Sequence, residues 1–298
     1  MHVDQVDVGE ETVAALVRAQ FPRWAGLPVR AVASDGTVNA IFRIGDRLAA
    51  RLPLRLAPAD AVRAELVREA AASAEFARVS PFPGPEPVAL GEPGEGYPMP
   101  WAVQTWLSGT VAAARLDELA GSYAFARDLA DLVAGLRTAG TGGRRFSGGG
   151  RGGVLADHDA WVNKCLAVSG DLLDVPHLRE LWRSFRELPP ADADAMSHTD
   201  LMPGNLLVAG DRLTGVLDTG GFAPADPALD LIAGWHLLDD GPRDAFRTAL
   251  ACDALTWERG RAWAFEQALG LVEYYALTNP VMSATGRRTL ERVVAAGA

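Results

Sequence analysis

Lysine is almost missing from this chain. Its 298 residues include one, Lys164, and every other basic side chain is an arginine. Basic residues are also outnumbered, 28 Lys and Arg against 38 Asp and Glu, which leaves a formal charge of −10. A nucleic-acid-binding protein presents a basic face, so this balance argues against nucleic acid as a partner. An acidic surface suits a cationic small substrate, and it is equally ordinary among soluble proteins. Cysteine occurs twice. Cys165 and Cys252 lie in helix-like segments with no partner spacing, which excludes a disulfide framework or a zinc site and reads as two reduced core residues. Long apolar runs are absent: none approaches the roughly 18 residues a membrane span needs, so no membrane partner is expected. The opening MHVDQVDVGEE has no basic and no apolar stretch. The expectation is therefore a chain without a secretory signal that works in the cytoplasm.

What is present is apolar bulk, 49% of residues, enough for one large domain or two lobes. The arrangement is uneven. Gly9 to Phe21 has helical apolar spacing. Residues 29–52 read as three strands, Val29 to Ala33, Asn39 to Ile44 and Arg47 to Leu52. The turn SDGT and the pair Gly45-Asp46 separate them. Pro58 opens a helix that runs to about Val79. After PFPGPEP, two more strands are expected near Val88 and over Tyr97 to Leu107. From Ser108 the style changes to helices, over Leu116 to Thr138, Asp157 to Val168, Leu178 to Leu188, Ala225 to Asp240, Pro242 to Leu250, Trp257 to Tyr275 and Val281 to Ala296. The fold class expected is α+β and bilobal. A small β-rich lobe spans 1–107, and a larger helical lobe spans 108–298. The glycine-rich stretch Gly140 to Gly153 lacks the GK[ST] ending of a phosphate loop and follows no strand, so it reads as a mobile loop. Its arginines, Arg144, Arg145 and Arg151, are the residues by which it would reach a ligand phosphate.

One polar hairpin stands among the helices, SHTDLMPGNLLVAGDRLTGVLDTGG, from Ser197 to Gly221. Pro203-Gly204 forces a turn, and Asn205 leads straight into the strand LLVA. Gly210-Asp211 returns the chain as LTGVLD. Antiparallel pairing brings the start of the first strand to the end of the second, and so Asn205 to Asp218. An amide oxygen beside a carboxylate is a hard-oxygen set suited to Mg²⁺. Asp200, just upstream, is placed to accept the proton of an attacking hydroxyl. A base with two metal ligands is the equipment of phosphoryl transfer from a Mg-nucleotide.

The pattern HxDxxxxN, an apolar hairpin and then Asp resembles the catalytic and metal-binding loops of protein-kinase-like folds. In the form HTDLMPGNLLV followed by GVLDTGGFAPADPALDL it is similar to the aminoglycoside phosphotransferase family of antibiotic kinases. That family's usual form is HGDLHPGN, then IDFxxxxxGDPxxDLA. The likeness covers most of the chain. It implies Asp200 as the catalytic Asp, with Asn205 and Asp218 holding Mg²⁺. It implies that His198 braces the loop, and that Asp230 bonds the loop backbone and that His. Asp226 reads as a structural N-cap. Three positions depart from the family pattern. Thr199 stands for the usual Gly, where a Thr fits only at negative φ. Met202 stands for the usual His, and Thr219-Gly220 for the usual Phe.

The resemblance also implies a nucleotide site in the N-lobe. Kinase-like folds pair a strand-three Lys with a helix Glu, and here Arg51 takes the lysine's place. Glu69 is the expected partner and Glu65, one turn earlier, the rival. Ser34, Gly36 and Thr37 would cover the phosphates. Gln104, Thr105 and Leu107, in the hinge QTWLSG, would meet the base. ATP is the expected donor and GTP is not excluded. The acceptor would be a hydroxyl-bearing small molecule, an antibiotic by the family likeness, facing Asp200 in the C-lobe. Asp157, Asp159, Trp161, Trp235, His236, Glu273, Tyr274 and Tyr275 are its candidate contacts. Carboxylates and aromatics suit a sugar-bearing or cationic drug. The competing readings are a metabolic sugar or amino-alcohol kinase on the same fold and a nucleotide-binding pseudokinase. Only the change from Lys to Arg at Arg51 supports the pseudokinase.

Overall fold

In the computed structural model, residues 6–32, 38–148, 150–170, 172–276 and 279–297 are described. The chain divides into two compact units. The first comprises Met1–Arg78, Pro83–Ser108 and Asp218–Gly220. The second comprises Val79–Phe82, Gly109–Leu217 and Gly221–Ala298. Together they are an α+β protein, as the sequence indicates.

The first unit opens with helix α1 (Glu10–Gln20), then strands β1 (Val29–Val32), β2 (Asn39–Ile44) and β3 (Leu48–Pro53). Helix α2 (Ala59–Val79), β4 (Pro87–Gly91) and β5 (Trp101–Thr105) follow. The five strands form one antiparallel sheet in the order β1-β2-β3-β5-β4. Period-two alternation turns Phe42 and Ile44 of β2 and Trp101 and Val103 of β5 inward, onto Val13, Leu16 and Val17 of α1. Each such side chain taken fully out of water contributes about 1.5–3 kcal/mol. Ser34, Gly36 and Thr37 lie outside the described residues.

The second unit begins with β6 (Thr110–Val111), α3 (Leu116–Leu119) and α4 (Tyr123–Arg137). Helices α5 (Asp159–Val168) and α6 (Val175–Arg186) lead to β7 (Ala195–Ser197), β8 (Leu206–Ala209), β9 (Arg212–Val216) and β10 (Ala223–Ala225). Four helices close the chain, α7 (Ile232–Leu237), α8 (Asp240–Ala249), α9 (Ala254–Tyr274) and α10 (Pro280–Ala295). Two small antiparallel sheets, β10-β7 and β6-β8-β9, carry the polar hairpin. Helix α9 is buried on every face between Arg259 and Leu269, so its polar side chains there are interior groups that need partners. Among the described residues no helix is long and apolar enough to cross a membrane.

Two helices differ from expectation. The one expected over Leu116 to Thr138 breaks at Gly121-Ser122, because the Ser122 hydroxyl caps a new start by accepting from Phe125 N at 3.1 Å. The one expected over Ala225 to Asp240 shrinks to Ile232–Leu237. Ala223–Ala225 pairs with β7 instead, and the Asp226 carboxylate takes Ala228 N at 2.8 Å, a turn that delays the helix.

Candidate active site

The loop between β7 and β8 is built around a buried carboxylate. Asp230 accepts from Ser197 Oγ at 2.7 Å, His198 N at 3.1 Å and Thr199 N at 3.3 Å. Burial pushes its carboxyl up, against the stabilising donors of Ser197 and His198. His198 is fully buried, donates from Nε2 to Leu217 O at 2.9 Å and receives Asp200 N on Nδ1 at 3.4 Å. Its ring thus ties the loop to the exit of β9. Thr199 overturns the expectation of a negative φ: it sits at +72°. The bonds from its own N–H to Asp230 and to Ser197 Oγ, and from its hydroxyl to Gly221 O, hold a β-branched residue in left-handed space.

The Asp200 carboxylate has three side-chain donors. Gln267 Nε2 (2.7 Å) and Arg151 Nη2 (3.0 Å) converge on Oδ1, and Asn205 Nδ2 reaches Oδ2 at 3.0 Å. Two donors fill Oδ1, whereas Oδ2 keeps a lone pair for a further proton. The same Asn205 amide nitrogen also meets Asp200 O at 2.9 Å, which turns the amide oxygen away from this carboxylate. Leu217 N bonds Asn205 O at 2.7 Å, so the backbone one residue before Asp218 is fixed to Asn205.

The hairpin is pinned at its far end. Asp128 of α4, 1% exposed, accepts from Arg212 Nε and Nη2 and from Leu213 N, at 2.7, 2.6 and 3.0 Å. Arg115 donates to Gly210 O at 2.8 Å and Ser122 Oγ to Asp211 Oδ2 at 3.0 Å.

In the first unit Asp218 takes a left-handed φ of 55° and accepts from Arg51 Nη2 at 3.2 Å. Arg51 Nη1 lies 3.2 Å from Glu69 Oε2. Burial raises the Glu69 carboxyl, and the Arg51 charge opposes that rise. Glu65 pairs with Arg68 on the helix surface instead. The Thr219-Gly220 departure has a local reason. Thr219 Oγ1 donates to Ser73 Oγ at 2.9 Å, and a Cβ on Gly220 would stand 2.9 Å from Glu69 Cβ. A cavity of 230 Å³ is lined by Arg51, Glu69, Ser73, Val88, Val103 and Gln104 among others. Thr105 spends both its N–H and its hydroxyl on the Glu86 backbone, each at 2.9 Å, so it brings no backbone donor to this cavity. Leu107 follows β5 in the link to the second unit.

The expected acceptor contacts scatter. Asp159 is committed to Trp182 Nε1 at 2.9 Å and to Arg186, whose guanidinium holds its carboxyl below the ordinary range. Trp235 and His236 are 1% exposed and belong to the core. Asp157 and Tyr274 are exposed, while Trp161, Glu273 and Tyr275 are half-buried. Gln267 was not among the expected site residues, and Arg151, expected only as a contact to ligand phosphate, is found on the Asp200 carboxylate instead. Arg151 arrives because Gly152, at φ +111°, leaves no room for a Cβ beside Ala225 and takes Asp226 N on its carbonyl at 2.7 Å. The glycine-rich stretch is thus fixed at this end. Asp226 is more than a cap: its Oδ2 also receives Trp263 Nε1 at 2.8 Å and Arg259 Nε at 3.1 Å.

A loop carboxylate with an open lone pair, braced by His198 and the buried Asp230, is equipment that a phosphotransferase needs. Residues 29–263 match the model of the phosphotransferase enzyme family, and the chain belongs to that family. No curated protein matches the sequence. Among solved structures the chain is similar to the GDP and kanamycin complex of the aminoglycoside phosphotransferase APH(2")-IIIa. Identity is 16%, coverage 96% of this chain and 99% of that one, and the TM-score 0.71. It is similar too to the macrolide 2'-phosphotransferase MphH from Brachybacterium faecium, at 21% identity, 94% and 98% coverage and a TM-score of 0.61. A third is the streptomycin–ATP ternary complex of APH(2")-IIa, at 16% identity, 96% and 97% coverage and a TM-score of 0.60. The fold is the protein-kinase-like one of these enzymes.

Proposed function

We propose that the protein is a cytoplasmic small-molecule O-kinase. It moves the γ-phosphate of ATP or GTP to a hydroxyl of an antibiotic, an aminoglycoside, a macrolide or a sugar-nucleoside such as a capuramycin, and so confers resistance. The family supports the reaction, and the kanamycin, streptomycin and macrolide enzymes of like fold support the acceptor class.

The observation that carries this reading is the Asp200 carboxylate. With Oδ1 filled by Arg151 and Gln267, Oδ2 is the oxygen that takes the acceptor's proton. As that proton moves, the acceptor oxygen bonds the γ-phosphorus, the bond to the β-phosphate oxygen breaks and the nucleoside diphosphate leaves. His198 and Asp230 position the loop. Arg51, steadied by Glu69, directs N–H groups at the phosphates, and Gln104 borders the base. The Asn205 amide oxygen and the Asp218 carboxylate are hard donors fit for Mg²⁺. When bound, that ion neutralises charge on the phosphates. Of the expected acceptor contacts, Asp157, Trp161, Glu273, Tyr274 and Tyr275 are exposed or half-buried and can meet the acceptor, whereas Asp159 is committed to Trp182 and Arg186 and Trp235 is buried in the core.

The test is a panel of kanamycin, gentamicin, streptomycin, a macrolide and a capuramycin, with simple sugars and amino alcohols beside them. Each is incubated with Mg-ATP or Mg-GTP and read by mass for one added phosphoryl group. An antibiotic product that Asp200→Ala lowers by about 10²–10⁴-fold in kcat is expected. Products from sugars or amino alcohols alone would make the protein a metabolic kinase. Nucleotide binding with no product from any acceptor would make it a pseudokinase.

A further inference from the structure

Behind the Asp200 carboxylate lies a chain of neutral polar side chains from three helices. Gln267 of α9 donates through Nε2 to Asp200 Oδ1 at 2.7 Å. Its Oε1 lies 3.0 Å from His236 Nε2, on α7. His236 Nδ1 lies 2.8 Å from Thr289 Oγ1, on α10, and that hydroxyl also lies 2.9 Å from Thr285 O. All three side chains are interior, at 6%, 1% and 0% exposure. Three buried polar groups in series require matched donors and acceptors, because a buried donor or acceptor left unpaired has lost its water and gained nothing in return.

A neutral His236 admits two proton arrangements. In one, the Thr289 hydroxyl donates to Nδ1, Nε2–H donates to Gln267 Oε1, and the Gln267 amide group faces Asp200. In the other, the hydroxyl donates to Thr285 O, Nδ1–H donates to the hydroxyl, and Nε2 accepts from the Gln267 amide. The second turns the Gln267 carbonyl oxygen onto a carboxylate oxygen, two acceptors with no proton between them. The negative charge of Asp200 therefore selects the first. His236 stays neutral throughout the working range: burial drops its pKa to about 4, with Arg151 and Arg292 adding to the drop and the Gln267 bond opposing it.

We infer that Gln267, His236 and Thr289 form a one-way hydrogen-bond relay that locks the Gln267 amide toward Asp200 and so aims Oδ2 at the acceptor hydroxyl. The relay rests on Asp200 being the base. Gln267 is its positioning residue, and His236 and Thr289 act through Gln267. A carboxylate held by Arg151 alone on Oδ1 rotates more freely, and misplacement of a reacting group by about 1 Å costs about 100-fold.

Two measurements test the relay without knowledge of the acceptor. In protein labelled with ¹⁵N-histidine, the resonances of His236, assigned from their loss in His236→Phe, should report a neutral ring protonated at Nε2. Protonation at Nδ1 overturns the inference. Phosphate release from Mg-ATP, with water as acceptor, should fall about 10- to 100-fold in kcat for Gln267→Met, with KM for Mg-ATP changed by less than about twofold. Thr289→Val should lower kcat in the same direction, and Thr289→Ser, which keeps the hydroxyl, should restore it. Thr289→Val also covers the case in which Gln267→Met does not fold. Full kcat in folded Gln267→Met or in Thr289→Val overturns the relay while leaving Asp200 as the base. Full kcat in Asp200→Asn overturns the reading of Asp200, and the relay with it.

Discussion

Arg51 holds Asp218 across 3.2 Å, joining residues 167 positions apart in the chain. Its other terminal nitrogen holds Glu69 at the same distance. One planar fork thus serves two carboxylates, which a single ammonium point charge does not reproduce. Arg51→Ala should raise the KM for nucleotide about 10- to 100-fold, the worth of one charged hydrogen bond, with a smaller change in kcat. Arg51→Lys should fall between. Steady-state kinetics with Mg-ATP check both, and an unchanged KM in Arg51→Ala removes this residue from the nucleotide site.

Thr199 carries strain that a glycine would not. A β-branched residue at φ +72° is costly by about 1–2 kcal/mol. Thr199→Gly relieves it, less the hydroxyl bond to Gly221 O, which at 3.4 Å is weak. A gain near 1 kcal/mol in urea unfolding is expected. A loss of stability would mean that the hydroxyl outweighs the strain.

Arg259 and Asp226 form an ion pair 5% and 3% exposed. Removing one partner leaves a charge buried without compensation. Arg259→Leu should cost about 3–5 kcal/mol, measured by urea unfolding. The paired change Arg259→Leu with Asp226→Asn should recover part of that loss, and a double variant no better than the single would argue that Trp263 rather than charge sets the cost.

His236 makes stability depend on pH. Its folded value near 4 lies below the unfolded value near 6.5, so the unfolded chain takes up a proton first as pH falls. Stability from this group is complete above the unfolded value and drains away between them, by about 3 kcal/mol at pH 4. His158 has the opposite sign. Its bond to Glu266 at 2.8 Å raises its pKa, so its contribution is present at low pH and fades as pH rises through the folded value. Unfolding of His236→Leu should show a flatter slope from pH 6.5 to 4 than the parent chain, and His158→Leu should show a smaller loss of stability than the parent as pH rises above about 6.5. Parallel curves would rule out both titrations.

The hairpin could be read from sequence because its signals are local. Pro203-Gly204 and Gly210-Asp211 are turn chemistry and set the pairing at the tip, Ala209 against Arg212, whereas the one-residue shift between Leu207 and Val208 that brings Leu206 opposite Val216 leaves no such signal. The strands of the first sheet were equally legible through alternation. The contacts of Gln267 and Arg151 with Asp200 were not, since they reach it from 67 and 49 positions away. Nothing in the pattern of α9 marks Gln267, because a helix buried all round has no polar face to read. Asp159 and Trp235 misled for a related reason. Carboxylates and aromatics that build a helix start or fill a core look in sequence like those that bind a ligand. The sign of φ at Thr199 was also beyond reach, because distant Asp230 sets it by drawing in the N–H.

The tip of a two-residue hairpin turn is ordinarily where a chain accepts an insertion or a new pair of termini. Between Gly210 and Asp211 that freedom is gone. Arg115 holds the carbonyl of one, Ser122 the side chain of the other, and Asp128 the next two residues. A few residues spliced in there would shift the register of β8 on β9 and carry Asn205 out of step with Leu217 at the opposite end. This exposed turn is therefore a poor place to graft a tag or open a circular permutant, for a reason seated at the far end of the hairpin beside the Asp200 loop.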